Sequence, residues 1–146
     1  MGLDMYLTAE RYLSDYRESD KPLKTKLNEA LYGPGYLEIK TVTAEAMYWR
    51  KANAIHTWFV RECQDGVDEC QKVPVSREKL QELYNVCSDV IYTRNTEPLT
   101  TASGFFFGGT EYDEYYFEEL VRTVDRLEEL LGEDYEVWDF YYQSSW

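Results

Sequence analysis

No apolar run in these 146 residues approaches the roughly 20 needed to cross a bilayer, and the N-terminus lacks a basic segment followed by an apolar stretch. A soluble, unsecreted, cytoplasmic protein is expected, with no membrane partner. Cysteine is scarce: Cys63, Cys70 and Cys87 make an odd number with no C-x-x-C pair, which argues against a disulfide framework and structural zinc. Positive charge is also short. The formal charge of -13 has the wrong sign for the phosphate attraction that dominates direct nucleic-acid binding. Catalytic signatures are missing too: there is no G-x-S-x-G elbow, no P-loop and no G-x-G-x-x-G. Catalysis is thus unsupported, and no cofactor is indicated.

Aromatic side chains are abundant. At 16% Phe, Trp and Tyr, with 44% of residues apolar, the chain has ample material for one core, and a single domain over 1–146 is expected. The acidity is uneven. Twelve acids face two arginines between Glu111 and Trp146, whereas the first 110 residues carry a net charge of only -3.

Periodicity supplies the elements. Gly2 to Leu7 alternates like a half-buried strand. Pro22 with Leu23, Leu27, Ala30 and Leu31 forms a short amphipathic helix, stopped by Gly33-Pro34-Gly35. Tyr36 to Val42 alternates again as a second strand. Thr43 then caps a helix to about Cys63, with Ala44, Tyr48, Ala52, Ile55 and Phe59 on one face. Ser76 caps a helix whose Leu80, Leu83, Cys87 and Val90 face inward. Gly104 to Gly109 reads as a strand or tight extended segment. A third long helix opens at Thr110, with Asp113 in the place a capping box gives to Glu; Phe117, Leu120, Val124, Leu127 and Leu131 are its inner face and Gly132 its left-handed cap. Glu136 to Tyr142 closes as a strand. The class is α+β: a small antiparallel or mixed sheet with three to four helices on one face.

In the long middle helix, Trp49, Asn53, His56 and Val60 form a stripe flanking the buried face, suited to lining a cleft. Arg50 and Lys51 lie beside it, a basic and aromatic island in an acidic chain. Cations neutralise phosphate and aromatic faces stack on a base, so the island suits a compact nucleotide. The competing readings are that His56 is a core histidine and that the island pairs with the acidic third helix. Ser103, Gly104, Phe105, Phe107 and Thr110 bring glycines and hydroxyls to a helix entrance, where an anion is favoured. Asp4, Asp113 and Glu114 would furnish oxygen ligands to Mg²⁺ if they converged, which sequence does not show.

The opening MGLDMYL and the stretches YWRKANAIHTWF, SGFFFGGTEYDEYYFEEL and WDFYYQSSW resemble a family of small phage and prophage proteins. The resemblance spans both ends and two internal blocks. It brings no catalytic residues with it, and residues 10–35 fall outside it and read as a peripheral insertion. It implies an accessory role in an infected or lysogenic bacterial cell, including inhibition of host defence. Two mechanisms fit: sequestering a small phosphorylated nucleotide signal in a pocket, or covering a nucleic-acid-binding defence protein with an acidic, DNA-like surface. The rings at Trp138, Tyr141, Tyr142 and Trp146 exceed what one small core readily buries, so a homo-oligomer, as a dimer, is expected.

Overall fold

Leu3, Met5, Leu7 and Ala9 alternate with polar or amphipathic neighbours, and the period of two carries one face of the first strand, β1 (Asp4–Tyr12), into the core. The computed structural model describes residues 2–33 and 37–146. The order continues as α1 (Asp20–Tyr32), β2 (Thr41–Arg50), α2 (Asn53–Cys63), β3 (Val73–Val75), α3 (Arg77–Thr93), α4 (Glu114–Leu130) and β4 (Asp139–Ser145), with 3₁₀ turns at Glu97–Leu99 and Glu133–Tyr135. The four strands form one antiparallel sheet in the order β2-β1-β4-β3. This is the expected α+β class. Among the described residues no helix is long and apolar enough to cross a membrane.

The core joins the inner sheet face to α2, α3 and α4. Phe59 stacks on Tyr142 with ring centroids 3.9 Å apart, and Trp49 donates from Nε1 to Thr123 Oγ1 at 2.8 Å, tying β2 to α4. As expected, Ser76 caps α3 by accepting from the Lys79 backbone N–H, and Leu80, Leu83, Cys87 and Val90 are all buried.

Several local expectations are corrected. Residues 41 to 50 form a strand, so the helix expected from Thr43 begins only at Asn53; of the strand expected over 36–42, residues 37–40 are irregular and Tyr36 lies outside the described residues. Ala44 and Tyr48 satisfy a four-residue spacing and a two-residue one equally, and pairing with β1 decides between them. A bulge at Ala46, between the Leu7–Met47 and Thr8–Glu45 pairs, shifts the alternation and disguised the strand.

The Gly104 to Gly109 segment is a turn, closed by the Phe107 N–H on the Gly104 carbonyl at 3.1 Å. A Cβ at Gly104 would lie 2.7 Å from the Phe107 ring, so the turn requires glycine there. Asp113 is itself the N-cap of α4, accepting from the Tyr116 N–H at 3.1 Å, which moves the start from Thr110 to Glu114. Gly132 is extended, at φ -68, and is no left-handed cap. Arg77 instead donates to the carbonyls of Leu130, Leu131 and Gly132 at the end of α4.

α1 is built differently from the rest. β1 runs on to Tyr12, paired with Thr41, and the next residue, Leu13, is fully buried. Beyond it, the only buried residues of α1 are Asp20 and Lys24. Asp20 accepts from Arg11, Arg17 and the Ser14 backbone N–H, and Lys24 pairs with Asp15 and Glu38.

Candidate binding cleft

A cleft of about 210 Å³ opens between the first turn of α2 and the first two turns of α4, roofed by the 101–109 loop. One wall is Lys51 with Ala52, Asn53, Ala54 and Ile55; the other is Glu111, Asp113, Tyr115, Tyr116, Glu119 and Leu120. α2 has Ala52 at its N-cap and no side-chain cap, so the first-turn amides at that wall keep their intrinsic deficit of partners.

Lys51 turns the chain from strand to helix in a left-handed conformation, φ 56, held by its N–H on the Leu3 carbonyl at 2.7 Å. Its stem passes between glycines: a Cβ on Gly2 would stand 3.3 Å from Lys51 Cε, and one on Gly108 3.0 Å from Lys51 Cβ. The side chain is exposed, and among the described residues it makes no ion pair. The opposite wall is acidic. Burial pushes the Glu119 carboxyl above its ordinary value, Arg122 pulls it partly back, and Glu118 adds to the rise. Burial, then the charge of Glu119, likewise raises the Tyr115 hydroxyl, which donates to the Arg50 carbonyl at 2.6 Å.

Asn53 builds the cleft. Its amide nitrogen donates to the carbonyls of Phe107 and Gly109, at 2.9 and 2.8 Å, and its oxygen accepts from the Ala102 N–H at 3.0 Å. A buried carboxamide with both donors and its acceptor engaged fixes the loop against α2.

The expected site residues divide into groups. Lys51, Asn53 and Asp113 line the cleft, and Thr110 borders it, its carbonyl accepting from Thr101 Oγ1 at 2.8 Å. Trp49 is fully buried and bonded to Thr123, so it offers no stacking face. His56 is 1% exposed, with Nδ1 2.6 Å from the Tyr142 hydroxyl and Nε2 2.8 Å from Asp68 Oδ2. Trp146 Nε1 donates to that same Asp68 oxygen at 3.1 Å, so His56 anchors the C-terminus to the loop after α2. Phe107 packs edge-on against His56 and faces Trp146; Ser103, Gly104 and Phe105 are exposed, Phe105 at 95%.

Arg50 and Asp4 lie on the sheet face away from the core, 3.9 Å apart, with the Tyr48 hydroxyl donating to Asp4. Asp4 therefore does not join Asp113, and Glu114 faces a separate groove with Arg94 and Phe117. The expected carboxylate cluster does not form: among the described residues no group of three His, Cys, Asp or Glu side chains is arranged to hold a metal. Sequence reasoning missed Thr101, Tyr115, Tyr116, Glu119 and Leu120. The i, i+4 pairs Tyr115–Glu119 and Tyr116–Leu120 already lay within the expected helix; that their face meets the start of α2 across a cleft is a tertiary fact with no signal in the spacing.

No family model matches the chain, and no curated protein or solved structure matches it.

Proposed function

We propose that the chain is a noncatalytic binding protein for a small phosphorylated nucleotide, held in the cleft between α2 and α4. The observation that carries this is the division of the cleft into Lys51, which forms no ion pair among the described residues, beside an uncapped helix start, and a facing wall of Glu111, Asp113 and Glu119. The first wall suits phosphate; the second accepts hydrogen bonds from ribose hydroxyls, as acidic side chains do in dinucleotide sites. Tyr115 offers an aromatic face, replacing Trp49 in that role. The cleft is small against the usual 300–1,000 Å³ of ligand sites, which favours a mononucleotide or one end of a dinucleotide. With the resemblance to small phage and prophage proteins, this suggests an anti-defence role in the bacterial cytoplasm, withholding a nucleotide signal from the host.

Calorimetry against cyclic nucleotides and NAD-derived signals is the test. Binding that weakens about tenfold or more in Lys51→Ala, with the nucleotide recovered unchanged after prolonged incubation with Mg²⁺, supports the reading. Absence of heat across the panel at millimolar ligand overturns it.

A second reading draws on the outer face of α4, where Glu114, Glu118, Asp125, Glu128 and Glu129 are all exposed. Such a surface suits an inhibitor that imitates DNA before a host defence protein. Capture from host lysate of a nucleic-acid-binding protein, released by moderate salt, supports it; capture of none removes it.

A further inference from the structure

The sheet has two edges. β3 is three residues long with Pro74 at its centre, so it offers little to a further strand. β2 is ten residues long. The Lys51 N–H bonds the Leu3 carbonyl and the Leu13 N–H bonds the Lys40 carbonyl, so the odd-numbered residues of β1 exchange hydrogen bonds with β2. The bulge at Ala46 changes which β2 residues point away from β1: Tyr48 and Arg50 on one side of it, Thr41, Thr43 and Glu45 on the other.

α4 covers the first pair. Arg122 donates to the Tyr48 carbonyl and Tyr115 to the Arg50 carbonyl. Among the described residues, nothing bonds the outward N–H and C=O groups of Thr41, Thr43 and Glu45. That stretch is exposed, β-branched at three successive positions, and lacks the lysine or proline that blunts an edge.

Exposed apolar side chains concentrate in the elements joined to it. Of twelve large apolar side chains left exposed among the described residues, five (Tyr12, Tyr16, Leu31, Tyr32 and Leu37) belong to this end of the chain. Tyr12 pairs with Thr41, and Asn28 of α1 accepts from the Ile39 N–H at 2.7 Å, which holds α1 against the approach to β2. Leu23 and Leu27 of α1 are only half-buried and join no core cluster.

We infer that β2 pairs antiparallel with β2 of a second copy about a two-fold axis at Thr43, joining two sheets into one of eight strands. Self-complementarity of the stretch selects a second copy. Thr41–Ala46 carries one charge, Glu45, in a chain of -13. Two-fold pairing at Thr43 sets Glu45 opposite Thr41 and Val42 opposite Ala44, so no like charges meet. The two Glu45 residues stand about 13 Å apart along the ladder, beyond the screening length of about 8 Å at physiological salt. A five-residue ladder alone buries too little for a stable dimer, and the apolar side chains around α1 supply the remaining area. The expected dimer thus forms through the α1 end, and not through the C-terminal rings, of which Tyr142 is buried and Trp146 docked on Asp68.

Light scattering on the full chain, with a charge swap, tests this. The wild type is expected at twice 17.3 kDa at tens of micromolar. Thr43→Lys and Thr43→Glu each place like charges opposite one another at the axis and should weaken the dimer about tenfold or more, while an equal mixture restores it. Circular dichroism on each variant establishes folding; should either fail to fold, Thr41→Lys, which sets a lysine opposite Glu45 of each partner, replaces it and should strengthen the dimer severalfold, and unchanged association in it overturns the inference. A wild-type monomer at about 100 µM, or a dimer equally strong in both Thr43 variants, overturns the inference.

Discussion

Asp20 in α1 and Leu83 in α3 are both completely buried, yet they sit in opposite kinds of interior. Leu83 belongs to a continuous apolar cluster running from Leu3 to Tyr142. Asp20 is enclosed by Arg11, Arg17 and a backbone N–H, and no residue of α1 enters that cluster. Apolar burial is non-directional and cooperative across elements, whereas an ion pair holds only the groups it joins. The body should therefore unfold as one unit and α1 should open independently of it.

The largest effect expected is in the body. Phe59→Ala removes the ring stacked on Tyr142 and packed edge-on to Trp49 and Trp58, and should cost about 3–5 kcal/mol by denaturant titration. A loss of less than about 1 kcal/mol would show that the core is not the common support. Asp20→Ala comes next. It strands Arg11, whose side chain is 14% exposed, and Arg17, at 39% and better solvated, so about 2 kcal/mol is expected. The loss should fall on α1 alone: hydrogen exchange in Lys21 to Tyr32 rises while α3 and α4 keep their protection. Equal loosening of α3 would erase the distinction.

Acid should separate the two regions without a mutation. Burial pushes the Asp20 carboxyl up, but the hydrogen bonds from Arg11 and Ser14, with the charges of Arg11 and Arg17, hold it below its ordinary value. Hydrogen bonds from Lys24 and then Lys40 lower Glu38 to about 2. A depressed carboxyl contributes stability above its unfolded value, near 4, that is lost as pH falls through the folded one. α1 should therefore loosen between about pH 4 and 2. Glu119 has the opposite sign: its raised carboxyl destabilises the fold when ionised, and that penalty is relieved as pH falls through its folded value. Hydrogen exchange by mass spectrometry at pH 5 and pH 3, corrected for intrinsic rates, should show α1 losing protection before α4.

Legibility in the sequence followed the same division. α3 could be read because its cap, its spacing and its buried face agree. β2 could not, because a bulge broke its alternation and its partner lies some forty residues away, information that local periodicity does not contain. His56 stood out as the single histidine, and it proved to be sealed between Tyr142 and Asp68, partners distant in sequence from each other. Asn53 was visible on a stripe flanking the buried face of an expected helix, and Lys51 in the basic and aromatic island beside it; the cleft they line exists because a strand ends at Arg50 and a helix begins at Asn53.

Lys51 marks the smallest expected effect and the sharpest contrast, since it sits in the well-packed body yet carries backbone strain. A non-glycine residue in the left-handed region costs roughly 1–2 kcal/mol, and Lys51 has φ 56. Glycine relieves that strain but adds freedom to the unfolded chain, roughly 0.5–1 kcal/mol. It also surrenders the stem contacts near Gly2 and Gly108. Lys51→Gly should therefore leave stability unchanged or raise it by up to about 1 kcal/mol, while Lys51→Ala keeps the strain and loses the contacts, so it should be the less stable of the two. Both lose the cation of the cleft. If the strain is retained for binding, both should weaken nucleotide affinity similarly and only their melting temperatures should differ. Should Lys51→Gly prove clearly less stable than Lys51→Ala, the left-handed backbone would hold no strain for glycine to relieve, because both variants lose the lysine stem alike.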